Sequence, residues 1–255
     1  MRKKKKEEYT ELHGILGNAE DYHVYHMKKM DYLVAGLLGF VGGAVVLYAF
    51  FRSVWFTLAG AAVCAFLVPP YYEEYKKNAR LKQLRLQFKD LLESLTASYS
   101  AGRNTPDAFA DARNDMQSIY GEGSDIVSEL QAICIGLANN INIEELLLDL
   151  ARRSELDDVM SFANVFEVCN RQGSDMKRIV SDTREIINDK IEIEMEIDTM
   201  LSGNKNELNI MMVMPVVIVL SLSSMGTMTI VSNSPVNLIV KFICLGIFGA
   251  AYIIG

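Results

Sequence analysis

The charges in this 255-residue chain leave two long gaps, and those gaps constrain the architecture more than any motif. From Tyr32 to Tyr72 there are 41 residues and one charge, Arg52. From Leu208 to Val240 there are 33 residues and no charge, and Lys241 alone interrupts the run to Gly255. Between these blocks, Glu73 to Glu207 carries 26 acidic and 16 basic side chains. A single soluble globule is excluded, because its apolar residues would be spread among polar ones along the whole chain. A mainly disordered chain is excluded as well. Half of the residues are apolar, which is ample surface to bury. The pattern describes two membrane blocks holding one soluble domain between them.

A spanning helix needs about 20 apolar residues to cross roughly 30 Å of hydrocarbon. Tyr32 to Phe51 meets this once, and Val54 to about Tyr72 meets it again, with Pro69 and Pro70 at its far end. Arg52 and Ser53 make the turn between them. Ile210 to Val231 is a third span and Val236 to Gly255 a fourth, joined by Asn233, Ser234 and Pro235. Gly36, Gly39, Gly42, Gly43 and Ala44, with Gly60, Ala61 and Ala62, would let the first two helices approach closely. Glycine is also simply common in such helices, and the two readings stand level.

Basic residues near span ends set orientation. Lys28 and Lys29 precede the first span, behind Lys3, Lys4, Lys5 and Lys6. Lys76, Lys77, Arg80, Lys82, Arg85 and Lys89 follow the second, and Lys205 precedes the third. The opposite side has only Arg52 and Lys241, and Lys241 can snorkel to the interface. The termini and the central domain are therefore expected in the cytoplasm of a multi-pass membrane protein. The polar stretch of about 30 residues before the first span separates the lysines from the apolar run, so it does not read as a cleavable signal. Cys64, Cys134, Cys169 and Cys244 are scattered, without a Cys-x-x-Cys pair, and read as reduced, mostly buried thiols.

The middle of the chain reads as all helical. Leu81, Leu84, Phe88, Leu91, Leu92, Leu95 and Tyr99 share one helix face, which Gly102 ends. Thr105-Pro106-Asp107 starts the next helix: an N-cap hydroxyl, a proline in the first turn and an acid at the positive end of the dipole. Ala108, Phe109, Ala112, Met116 and Ile119 form its apolar face, and Gly121 and Gly123 break it. Ser124 caps a third helix. Asn142 caps a fourth, with Glu145 completing a capping box. A fifth begins near Ser154 and closes at Gly173. Ser174 or Asp175 opens a sixth that runs to about Leu201. Ile191 to Asp198 alternates apolar and acidic residues with a strand-like period of two. It is expected to be helical, because Glu and Met favour helix and a lone strand has no partner.

The expected fold is thus all-α. Four transmembrane helices in two hairpins flank a cytoplasmic antiparallel six-helix bundle. A charged cytoplasmic arm covers residues 1–30, the first hairpin 31–72, the bundle 73–207 and the second hairpin 208–255. The first and last bundle helices lead directly into the second and third spans, so a displacement of the bundle must be felt in the membrane.

Catalytic signatures do not appear. There is no Gly-x-x-x-x-Gly-Lys-Ser/Thr loop, no Gly-x-Ser-x-Gly elbow and no His-Glu-x-x-His helix. His23 and His26 lie three apart near Glu20 and Asp21, like part of a metal site. A solvated amphipathic arm is the favoured reading, since metal ligands need a rigid support. The acids Glu144, Glu145, Asp149, Asp157 and Asp158 would suit a cation or a basic partner, and a solvated helix face with capping acids is favoured over that. The net charge of −10 between Glu73 and Glu207 argues against nucleic acid. The spans hold no Asp or Glu, the usual intramembrane proton carriers. Pro215, early in the third span, is expected to kink it, either as a hinge or as ordinary packing.

Several short motifs then fall in a suggestive order. Ser98-Tyr99-Ser100-Ala101-Gly102-Arg103-Asn104-Thr105-Pro106 is followed by Ala108, then by Glu129-Leu130. Leu150-Ala151-Arg152-Arg153 comes next with Asp157 and Asp158, then Gly173-Ser174-Asp175, and Pro215 in the next span. Together with the span order, they resemble the type II secretion system F domain. The likeness is to its single-domain form in the tight-adherence (Flp) pilus assembly membrane proteins of TadB/TadC type. It covers roughly residues 81 to 220. The charged arm, the acidic bundle and the Ile-Glu alternation depart from it.

The resemblance implies a non-enzymatic inner-membrane platform, with no catalytic residue, cofactor or metal. The implied partners are a cytoplasmic P-loop secretion ATPase, pilin-like single-span subunits, a paralogous platform protein or further copies of this chain, and membrane lipid. Gly102 and Gly173 would then be structural turns. The basic segment from Lys76 to Lys89 would meet anionic lipid at least as readily as a protein. The alternative is an ion-driven stator of the flagellar-motor or biopolymer-transport class. Such a protein would need a single-span partner bearing an intramembrane Asp. A membrane enzyme is the least supported reading, since no nucleophile, base or metal constellation is found.

Overall fold

The computed structural model describes residues 14–15, 21–22, 29–51, 54–172 and 176–224. Its elements in chain order are α1 (Lys29–Phe51), α2 (Val54–Ser100), α3 (Thr105–Tyr120), α4 (Asp125–Ala138), α5 (Ile143–Ser154), α6 (Asp157–Gln172) and α7 (Met176–Ser224). The fold is all-α, with no strand among the described residues. The alternating stretch from Ile191 to Asp198 lies within α7. Gly173, the expected second turn and the fourth span lie outside the described residues, as do His13, His23, His26 and Cys244.

The chain divides into two compact units. One comprises Met1–His26 and Glu74–Ile193, the other Met27–Glu73 and Glu194–Gly255. Six helices contribute to the first unit: the later part of α2, all of α3 to α6, and the early part of α7.

Local sequence explains where these helices begin and end. Gly102 has φ +78°. Its N–H reaches the Tyr99 carbonyl at 3.0 Å and the Arg103 N–H reaches the Ser98 carbonyl at 3.1 Å. That pair of bonds is the Schellman ending, which needs a left-handed residue and so suits glycine. Asn140, with φ 60°, closes α4 by the same pair of bonds, from itself to Leu137 and from Ile141 to Gly136. The start of α3 differs from the expectation. Its cap is Asn104, whose Oδ1 accepts from the Asp107 N–H at 2.9 Å. The Thr105 hydroxyl instead accepts from the Tyr99 phenol at 3.2 Å, so it is already engaged. Pro106 sits in the first turn of α3, where its missing N–H removes no helical bond.

The core of the first unit takes in the expected stripes of α2 and α3, except that Ile119, expected on the apolar face of α3, is exposed. Leu84, Phe88, Leu91, Leu92 and Leu95 of α2 are buried with Phe109 and Met116 of α3, Leu130 and Ile133 of α4, and Leu147 and Leu150 of α5. Val159, Phe162, Ala163 and Phe166 of α6 join them, as do Val180, Ile187 and Ile191 of α7. The Phe162 ring stands edge-on to Phe88, 5.7 Å between centroids, and lies 5.5 Å from Phe166. Phe166 in turn meets Phe109 edge-on at 6.4 Å. Edge-on rings place a positive rim on a negative face, which adds to their burial.

In the second unit α1 packs on the first part of α2, and the close-approach reading of the small residues holds at Gly39 and Gly43. A Cβ on Gly39 would lie 2.9 Å from the Cys64 carbonyl oxygen, and one on Gly43 2.8 Å from the Cys64 Cβ. Gly42 faces open space. Leu33, Leu37, Val41, Trp55, Phe66 and Leu67 are exposed. Among the described residues, Lys29–Tyr48 is long and apolar enough by length and composition to cross a membrane.

Both α2 and α7 run through the boundaries expected near residues 72 and 207. Pro69 and Pro70 lie inside α2, and Pro215 inside α7. A helix that stopped at such a boundary would leave four carbonyls without partners, whereas each proline removes a single donor.

Candidate functional site

The site is a buried cluster of charges, and helical register explains it. On α4, Glu129 sits three residues after Ile126 and four before Ile133, within the apolar stripe. On α5, Arg153 follows Leu146 and Leu150 at the same spacing. Both side chains are only 3% exposed. The two helices pack together, so their two charges face one another. Arg153 donates from Nη1 to the Glu129 Oε1 at 2.7 Å and from Nη2 to Oε2 at 2.6 Å. Its Nε donates to the Asp149 Oδ2 at 2.8 Å, one helical turn back. The bidentate fork is the geometry guanidinium and carboxylate share best.

Tyr22 of the N-terminal arm completes the cluster. Its hydroxyl donates to the Glu129 Oε1 at 2.8 Å, and its backbone N–H to the Arg153 carbonyl at 3.2 Å. The Arg80 guanidinium of α2 lies over the Tyr22 ring, 4.8 Å from its centroid. Arg80 also holds Asp125 at the start of α4, with Nε to Oδ2 at 2.8 Å and Nη2 to Oδ1 at 2.6 Å. Gly14 is buried, and Ile15 lines a small cleft with Glu129, Ala132, Ile133, Leu146, Asp149 and Arg153.

A second cluster ties three helices. Two residues join α5 to α6, with Glu155 in the left-handed region at φ 49°. Asp158 follows in the first turn of α6 and is 6% exposed. Its carboxylate accepts from the Arg85 Nε of α2 and from the Lys190 Nζ of α7, the latter at 2.7 Å.

Electrostatics follow from this burial. Burial raises the Tyr22 phenol well above its ordinary range, the charges of Glu129 and Asp125 raise it further, and Arg80 opposes them. The phenol is therefore a neutral donor. Burial alone would lower the Arg153 guanidinium, but the hydrogen bond and charge of Glu129, then Asp149, reverse this to a net rise. Burial also raises the Cys134 thiol, which leaves it a poor nucleophile. Tyr120, which donates to Asp90 of α2, is pushed up to about 12, by burial first and then by that carboxylate.

The structure brings together Glu129 and Arg153, and it places Asp158 beside Arg85 and Lys190. Arg152 and Asp157 are exposed, Thr105 is half-buried at the Tyr99 contact, Pro106 is exposed, and Ala108 is in the core. Pro215 is exposed on α7. Two expectations are corrected. The acids of α5 and α6 are not simply a solvated face, because Asp158 is buried and Asp149 is paired. Nor is the arm solvated at Tyr22, which is 4% exposed, while His23 and His26, on which that expectation rested, lie outside the described residues. Arg80 and Arg85, grouped by sequence with a lipid-facing basic segment, are held inside the bundle by acids.

These groups bind one another. Among the described residues, no group of three or more His, Cys, Asp or Glu is placed to hold a metal ion. No family model, curated protein or solved structure matches the chain.

Proposed function

We propose that this chain is a non-enzymatic inner-membrane platform protein of a type IV/Flp (tight-adherence) pilus or type II secretion-like machine. In this reading four spans cross the membrane and the helical bundle and both termini lie in the cytoplasm. A P-loop secretion ATPase docks on the bundle, and pilin-like subunits leave the bilayer beside the spans. A paralogous platform protein or further copies of the chain complete the assembly.

One observation carries the reading. Two of the motifs on which the resemblance rests, Glu129-Leu130 and Leu150-Ala151-Arg152-Arg153, meet as a single buried ion pair. Removing either charge would strand the other, so such a pair fixes how two helices pack. That is the behaviour of a frame that passes displacement on, not of a centre that turns over substrate. Lys29–Tyr48, long and apolar enough to cross a membrane, supports the membrane half of the reading.

The test is in-cell crosslinking of the tagged full-length chain, detergent extraction and mass spectrometry of what co-purifies. A P-loop secretion ATPase and small single-span pilin-like proteins are the expected partners. Recovery instead of a single-span protein with an Asp in its membrane segment would sink the platform reading and point to an ion-driven stator.

A further inference from the structure

Ile191 to Asp198 alternate apolar and acidic side chains, yet they form helix. Each helical residue turns its side chain by about 100°, so a step of two carries it about 200° round, to the opposite face. A period of two therefore gives α7 two apolar faces instead of one. Val180, Ile187 and Ile191 form the inner face and are buried in the core of the bundle. Ile186, Ile193, Ile197 and Met200 form the outer face, and between 49% and 69% of each is exposed. Their spacing keeps them in one stripe about 21 Å long, the kind of seam by which one helix packs on another.

Glu185, Asp189, Glu192 and Glu196 run along one edge of this stripe, again three or four residues apart, and all are exposed. The basic residues Arg178 and Lys190 of α7 are engaged by Asp182 and Asp158. Among the described residues none of the four acids has a cationic partner. That row decides what can cover the stripe. It keeps the stripe out of hydrocarbon and away from anionic headgroups. A second copy would bring the same acids, and like charges along a seam repel. A helix that sets lysine or arginine beside an apolar stripe satisfies both features. We propose that the outer face of α7, from Ile186 to Met200, is a docking surface for a basic amphipathic helix of another protein. The inference goes beyond the platform reading and rests on α7 alone.

The experiment is in-cell photocrosslinking of the full-length chain, with benzoylphenylalanine in place of Ile193, of Ile197 or, as a control, of Val168, which is exposed on α6. Mass spectrometry locates the crosslinked segment. Ile193 and Ile197 are expected to give an adduct with a helical segment of net positive charge on another protein, and Val168 is not. Asp189→Lys/Glu192→Lys/Glu196→Lys should cut that adduct about ten-fold, and the corresponding triple Gln variant by less. Thermal unfolding, expected to match wild type because these acids are exposed, separates lost docking from lost fold. An adduct between two copies of the chain, adducts with lipid only, no adduct at either position, or an adduct indifferent to charge reversal would each overturn the proposal.

Discussion

Arg153 of α5 grips Glu129 of α4 with both of its terminal nitrogens, across 24 residues of sequence, at 2.7 and 2.6 Å. Neither side chain has more than 3% of its surface in solvent. The pair is therefore both a tie between two helices and a liability should either charge be lost.

Arg153→Met leaves the Glu129 carboxylate buried without its main partner. Stability is expected to fall by about 3–5 kcal/mol. The double variant Glu129→Leu/Arg153→Met removes both charges and should recover most of that loss, because an apolar pair of similar volume carries no desolvation penalty. Thermal unfolding of the full-length chain, followed by tyrosine near-ultraviolet dichroism, measures both. A double variant as unstable as the single one would show that the pair itself, not the stranded charge, holds the helices.

Phe162 bridges α2 and the rest of the aromatic cluster and is fully buried. Phe162→Ala opens a cavity between Phe88 and Phe166 and is expected to cost about 3–5 kcal/mol. Phe162→Leu, which fills more of the space, should cost clearly less. The same unfolding assay ranks them.

Tyr120 gives a pH signature. Its folded pKa, about 12, lies above the unfolded value near 10. Its contribution is complete below pH ~10 and is lost as pH rises toward ~12, since there the unfolded chain has released a proton that the folded chain keeps. Tyr120→Phe removes this dependence. The stability advantage of wild type over Tyr120→Phe should therefore shrink across that window, and phenolate absorbance should show one tyrosine fewer titrating late. Parallel stability curves in the two proteins would count against the Asp90 contact.

The α1–α2 contact can be trapped. A disulfide needs Cβ atoms about 3.5–4.5 Å apart, and a Cβ on Gly43 would start 2.8 Å from that of Cys64. A small outward shift satisfies the bond. Gly43→Cys, with the other native cysteines replaced by serine, should form an intramolecular crosslink to Cys64 under mild oxidation. Gly42→Cys, whose Cβ meets nothing within 4 Å, should not. Equal crosslinking of the two would refute the register of this hairpin.

Much of the helical architecture was legible because it is written in local terms. The stripe through Leu84, Phe88 and Leu95, the ending at Gly102 and the proline-led start of α3 each need only a few neighbouring residues. The Glu129–Arg153 pair has a signal of its own in the sequence. Both charges occupy core positions of their own helix stripes, and a charge at such a position demands a partner of opposite sign. Asp158 gave the same warning, four residues before Phe162. Tyr22 gave none, because its contact partner lies 107 residues away.

The sequence alone determined that the chain is helical, where its charges gather and which residues form its apolar faces. These follow from periodicity and capping, whose range is one or two helical turns. Only the tertiary structure decided which charges meet: Arg153 with Glu129, Arg80 with Asp125, Arg85 and Lys190 with Asp158, and Tyr22 across the first of these pairs. A partner is chosen by which helix faces are brought together. That choice is made by burial of apolar surface, which is nearly blind to direction, and the polar contacts form where the packing puts them.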